Sequence, residues 1–296
     1  MTSAASTPRG QHERLLRSAA KLSYDPATEI DWDAPVPEDA YGLSPEWSTL
    51  YGTPMWDEMT EAQRVTLTRH EVCSIMSTGI WFEMILQQML LRDQYAKDPA
   101  DAGFQFALTE IADECRHSIM FARIGQKLGV PAYFPHRAIV ESARLFKATA
   151  RGEVAYGSAL VAEEILDVMQ RDWMRGQHVL DLVRTSSRIH VVEESRHMTF
   201  ARKEIREHLA GVGPLRRRRS AVLIALVATI IVRSMVNHGV YRAAGLDAER
   251  AVREARHNPH RAAMLRGACG GLMKFLSETG LLTRPAAALY RRVHML

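Results

Sequence analysis

The sequence predicts an all-α protein, a helical bundle, and three observations carry that prediction. Apolar residues recur at helical spacing through most of the chain after Glu61, strand signals are nearly absent, and the breaks between periodic stretches carry helix caps and glycine stops. A chain of 296 residues that is 47% hydrophobic can bury a sizeable core. One domain is expected, with an irregular N-terminal arm at 1–58 and a helical domain at 59–296 that ends in a helical extension.

The arm is rich in Pro, Asp, Trp and Ser without sustained periodicity, and reads as a wrapping segment with one short helix. Thr60 with Gln63 forms a capping box that opens a long amphipathic helix from Glu61 to about Arg92. Asp98-Pro99 supplies an N-cap and a first-turn proline for a second helix, which Gly129 stops. A shorter helix follows near 137–150, and another near 154–174. A long one spans about 178–210, closed by Gly211, Gly213 and Pro214. The stretch from Leu215 to Val240 is apolar nearly all round and predicts a helix covered on most sides. Helical segments near 246–256 and 260–279 close the chain.

Composition excludes several classes. A net charge of +4 permits an acidic partner, but Lys and Arg are scattered except for Arg216-Arg217-Arg218-Arg219. That short run lacks aromatic stacking positions or a zinc motif, so it reads as a solvated helix start and no nucleic-acid partner is expected. The apolar stretch 221–232 falls short of the roughly 20 residues needed to span a bilayer, so no membrane span is expected. Residues 1–22 are polar and charged with no apolar core, so the expected location is cytoplasmic. Cys73, Cys115 and Cys269 are too few and too scattered for a disulfide framework, and Cys115 is expected to pack.

The chemistry lies in a short repeat. Asp113-Glu114-Cys115-Arg116-His117 is echoed by Glu193-Glu194-Ser195-Arg196-His197, each inside a long helical pattern. Positions i and i+3 share a helix face, so each Glu-x-x-His aims a carboxylate and an imidazole at one point. A random chain of this length would hold roughly one such motif, and Glu254-Ala255-Arg256-His257 is read as that accident, since it abuts Asn258-Pro259 where a helix should end. The duplicated flanking residues set the other two apart. Two Glu-x-x-His helices joined by one Glu from each of two further helices make the dinuclear iron site of ferritin-like bundles. The expected fold is therefore a ferritin-like four-helix bundle core with extra N- and C-terminal helices.

Two carboxylates remain to be found. Glu83 stands alone in an uncharged stretch, Ser77 to Leu86, where a carboxylate needs a partner to be buried. The other is Glu163 or Glu164, which point about 100° apart, and the pattern does not separate them. His190, four residues before Glu194 and seven before His197, projects from the same face. Three imidazoles and four carboxylates on two irons suit oxygen activation: the carboxylates cancel two ferrous charges, and oxidation leaves a surplus that an oxygen dianion can neutralise. Asp113, Glu193 and Asp167 are candidates to orient the imidazole N–H groups, with Arg116 and Arg196 pairing across the two motifs.

With these residues the chain from about Glu61 to Arg206 resembles the non-haem diiron arylamine N-oxygenases of the p-aminobenzoate N-oxygenase type. The resemblance implies Glu83, Glu114, His117, Glu163, His190, Glu194 and His197 as the metal ligands in order, which favours Glu163 over Glu164. It implies two iron ions, O2 as co-substrate, an aromatic amine as small-molecule substrate and a homodimer. It weakens after Leu215, where the family places a basic anchor for a substrate carboxylate. No flavin or dinucleotide motif is visible, so electrons are expected from a separate reductase. The rival readings are a ferritin-like diiron hydroxylase or desaturase acting on an alkyl or acyl substrate, an iron-storing ferroxidase, and a metal-free helical scaffold.

Overall fold

The computed structural model describes residues 8–296, so the first seven residues of the expected arm lie outside the described residues. The segment before the long helices holds more structure than the sequence suggested. It comprises α1 (Pro8–Lys21), α2 (Pro26–Glu29), a 3-10 turn at Pro45–Trp47 and α3 (Pro54–Glu58). The polar look of α1 hides a buried stripe of His12, Leu15 and Ala19, spaced three and four apart, which lies against the bundle. Then come α4 (Glu61–Gln94), α5 (Ala102–Lys127), α6 (Arg137–Thr149), α7 (Gly152–Trp173) and α8 (Asp181–Leu209). No strand forms among the described residues, only an isolated bridge between Tyr41 and Val179.

Helices α4, α5, α7 and α8 form the core, with α4 packed on α5, α7 on α8, and α5 meeting α8 across the centre. Their ends obey local chemistry. At α4 the Thr60–Gln63 capping box is closed in both directions. Helix α5 starts three residues later than expected, because Asp101 rather than Asp98 accepts the first free N–H groups, from Gly103 and Phe104. It stops at Gly129, whose φ of 64° suits glycine.

Beyond the core run α9 (Pro214–Ser234), α10 (Gly239–Ala243), α11 (Ala248–Arg256), α12 (Pro259–Ala268), α13 (Gly270–Glu278) and α14 (Arg284–Arg291). The helix expected over 260–279 is thus broken at Cys269, and the last short helix had no sequence expectation. Helix α9 corrects a further expectation. It buries one face, Ala221, Ile224, Ala225, Ala228 and Val232, while Leu223, Leu226 and Ile230 stay 36–43% exposed. Small residues explain the covered side: α7 presents Gly157 beneath Ile224, where an added Cβ would come within 2.5 Å of the isoleucine Cδ1. By length and composition alone this stretch is apolar enough to cross a membrane, with 39% of it buried in the fold.

The arginine run acts as a structural clamp. Arg216 pairs with Glu153 at 3.0 Å through both Nε and Nη2, and Arg217 donates to the carbonyls of Leu209 and Thr279.

Candidate metal centre

Four helices each bring acidic or imidazole side chains to one buried point. Helix α4 contributes Glu83, α5 contributes Glu114 and His117, α7 contributes Glu163, and α8 contributes His190, Glu194 and His197; none is more than 5% exposed. The structure brings all seven residues singled out in the sequence together. Their donor atoms form overlapping triads, Glu83–His117–His190, Glu114–His117–Glu194 and Glu163–His190–Glu194, each within 4.8 Å. Helix geometry is the cause, since i, i+3 and i+7 positions return to the same face.

The centre has a pseudo-two-fold arrangement. Glu114 and Glu194 lie between the two motif histidines: His117 Nδ1 is 3.3 Å from each, and His197 Nδ1 is 3.3 Å from Glu114 and 3.0 Å from Glu194. On the far side, His117 Nε2 meets Glu193 at 2.7 Å and His197 Nε2 meets Asp113 at 3.2 Å. These reciprocal contacts show that α5 and α8 run antiparallel. Each ring thus turns Nε2 outward to a carboxylate and Nδ1 inward to the cluster.

Arginines hold the outer carboxylates. Arg116 pairs with Asp113, and Arg196 Nη2 lies 3.4 Å from Asp113 and 3.9 Å from Glu193. The arm completes this layer, as Tyr24 N donates to Glu193 at 3.1 Å and Arg196 donates to the Leu22 carbonyl at 3.0 Å. Ser118 donates to Glu83. Phe121 sits 5.2 Å from the His190 ring and Phe106 6.4 Å from that of His197, closing the site with apolar surface.

The electrostatics suit a cation-binding cluster. Burial pushes the Glu83 carboxyl up, and burial with the neighbouring Glu194, Glu114 and Glu83 carboxylates pushes Glu163 well up. Burial alone would lower His117 and His197, but the carboxylates around them outweigh it and hold both well above the usual histidine range. Burial likewise opposes ionisation of Glu194, yet His197, His190 and His117 hold it well below the usual range. Glu114 Oε1, Glu163 Oε2, Glu194 Oε2 and His190 Nδ1 are buried without a hydrogen-bond partner. Converging orphan oxygens in a dry core are costly by themselves and are what divalent cations satisfy, so the residues present fit a dinuclear metal centre.

Several sequence expectations are refined here. Glu163 points to the cluster, whereas Glu164 binds Arg202 at 2.8 Å. Asp167 pairs with Arg171 at 2.7 Å, and no hydrogen bond joins it to an imidazole among the described residues. Cys115 is exposed, not packed. The third Glu-x-x-His is apart from the centre: Glu254 binds Arg250 and the Met55 N–H, and His257 is exposed. One residue went unnoticed. Glu110, 3% exposed, has a carboxylate oxygen within 4.8 Å of Glu114 and His197 donor atoms, and burial pushes its carboxyl well up. Its signal was present, since it stands four residues before Glu114 as His190 stands before Glu194.

A family model described as p-aminobenzoate N-oxygenase AurF matches residues 6–280. The chain belongs to the AurF family. Uncharacterized proteins of Mycobacterium tuberculosis and Mycobacterium bovis are 25% identical to it over 231 residues, covering 75% of this chain. The match spans 66% of the length of those relatives. Membership extends across the long helices that build the buried cluster and most of the C-terminal helices. A separate cavity of about 470 Å³, lined by Arg233, Arg256, Arg261, Arg292 and Tyr241 among others, shares no residue with the cluster.

Proposed function

We propose that this chain is an O2-activating diiron monooxygenase that N-oxygenates an aromatic amine toward hydroxylamine, nitroso or nitro products. The observation that carries the proposal is the convergence of seven buried donors, several of them without other partners, between α4, α5, α7 and α8. Family membership supplies the reaction class. Bound iron would supply the redox and Lewis-acid chemistry that activates O2, the electrons coming from a separate donor. Glu114 and Glu194, set between the motif histidines, would hold the metal together with Glu83 and Glu163. His117, His190 and His197 complete the donor set.

The remaining residues govern geometry and access. Glu193 and Asp113 would orient the His117 and His197 rings through their Nε2 atoms, and Arg116 and Arg196 hold those carboxylates in place. Phe106 and Phe121 exclude water from the donors, which limits wasteful release of reduced oxygen. In the first step an amine and O2, with two electrons and two protons from a separate reductase, give a hydroxylamine and water. A homodimer in the cytoplasm with that external donor is part of the same proposal.

The test is to load the protein anaerobically with ferrous iron, count the iron, and supply O2 and a reductant with p-aminobenzoate, aniline or a long-chain acyl substrate. Two irons per chain and oxidation of an arylamine nitrogen support the proposal. Fewer than two irons in folded, iron-supplied protein, or turnover of the acyl substrate alone, overturns it; the latter outcome indicates a hydroxylase or desaturase.

A further inference from the structure

We propose that Glu110 is an eighth metal donor, bound to the ion held by His197, and that it makes the two halves of the centre chemically unequal. The inference rests on the metal-centre reading above and goes beyond the seven donors that the motif and the family resemblance supply. Three observations carry it. Glu110 is buried, its Oε2 has no hydrogen-bond partner, and its carboxylate stands within 4.8 Å of the Glu114 and His197 donor atoms.

The pseudo-two-fold gives the geometric reason. Because α5 and α8 run antiparallel, the residue seven before each motif histidine lies two turns back and beside the opposite helix's motif histidine. On α8 that residue is His190, whose ring is 4.6 Å from that of His117. On α5 it is Glu110, and it lies against His197. The same slot therefore holds an imidazole in one half and a carboxylate in the other. Asp113 and Glu193 occupy a second pair of equivalent slots and face outward to the ring Nε2 atoms, so the exchange of halves holds over two turns of both helices.

A buried carboxylate with no donor has little structural use. Buried carboxylates elsewhere in this protein have one: Glu71 accepts from Thr49, and Glu153 accepts from Arg216 and Ser220. Glu110 has no such partner, and the cluster it faces is where a cation would sit. An anionic oxygen donor on one ion, set against a neutral nitrogen donor in the equivalent slot, gives one position harder and richer in oxygen than the other.

The experiment compares wild type, Glu110→Ala, Glu110→Gln and Glu110→His, each loaded with two equivalents of iron-57. Iron retained against a competing chelator and the Mössbauer spectrum are read, with circular dichroism and melting of the metal-free proteins as controls. Wild type should hold two irons in two distinct environments. Glu110→Ala should bind one iron at least about tenfold more weakly, and Glu110→His should restore occupancy while the two environments converge. The metal-free Glu110→Gln protein, which replaces an unpartnered buried carboxyl and keeps the shape, should melt no lower than wild type. Should Glu110→Ala lose helicity, the isosteric Gln variant carries the same comparison. Wild-type iron affinity and spectrum in both Ala and Gln variants overturn the assignment of Glu110 alone. Failure of wild type to retain iron overturns the metal-centre reading itself and this assignment with it.

Discussion

At the scale of single residues, adjacency makes the sharpest distinction. Glu163 and Glu164 differ by about 100° around one helix, and that rotation sends one into a cluster of carboxylates and the other to Arg202. Glu163→Ala should lower iron content and abolish turnover. Glu164→Ala should keep two irons and lose about 1 kcal/mol of stability with the Arg202 pair, a contact open to solvent on the arginine side. Iron analysis and a melting curve decide it, and equal iron loss in both variants would contradict the assignment. The motif residues were legible because i, i+3 spacing is a statement about direction. Glu163 was not, since its rotation depends on how α7 is turned against α8. Glu110 was missed for a related reason: on a helix that also carries Asp113 and Glu114, one more carboxylate looks like part of a wet face until the antiparallel neighbour is known.

At the scale of elements, helix ends follow short-range chemistry and were mostly readable, while helix faces depend on what packs beside them. Gly129 and Gly211 stop their helices at positive φ, and Thr60 caps as expected. Asp98 was the expected cap of α5, and the fold uses Asp101 instead, three residues further on. Arg216-Arg217-Arg218-Arg219 looked like a solvated start, yet Arg216 clamps α9 to the first turn of α7 through Glu153, which Ser220 also donates to at 2.8 Å. Burial opposes the Glu153 charge, but Arg216 and Ser220 hold its carboxyl below the ordinary 4.5. A depressed folded value means that the clamp stabilises fully above the unfolded value and fades as pH falls through the folded one. Glu153→Gln should therefore cost about 1–2 kcal/mol near neutrality, less than a fully buried charged bond because Arg216 is wet. Melting temperatures of wild type and variant should converge as pH is lowered from 4.5. A gap that stays constant down to pH 2 would show that packing, not charge, is lost.

At the scale of the whole molecule, residues 8–58 are part of the fold and not an appendage. The sequence suggested a wrapping segment but not how it is held, because many of its contacts are backbone groups and buried polar atoms that leave no periodic trace. Tyr41 exchanges backbone hydrogen bonds with His178 and Leu180, Thr49 N donates to buried Glu71 at 2.9 Å, and Asn258 donates to the Thr49 and Tyr51 carbonyls. Gly42 sits where the chain crosses α4 at closest approach: its N–H donates to Thr68 Oγ1 at 3.1 Å, and a Cβ there would stand 2.4 Å from Arg69 Cα and the Thr68 carbonyl oxygen. Neither neighbour is a movable side-chain end, so any side chain at 42 lifts the crossing segment from the helix. Gly42→Ala should destabilise by about 1–3 kcal/mol, the usual cost of forcing an extra carbon into a packed contact. The lift should also loosen the Tyr24 and Leu22 contacts to Glu193 and Arg196 only slightly, because α1 and α2 make their own contacts with α5 and α8. Calorimetry of the wild type should accordingly show one cooperative transition, and Gly42→Ala one transition at lower temperature with iron content unchanged. A separate low-temperature transition in wild type would make the segment 8–58 an independent unit, and an unshifted melting point in Gly42→Ala would mean that the crossing is not the close contact its geometry describes.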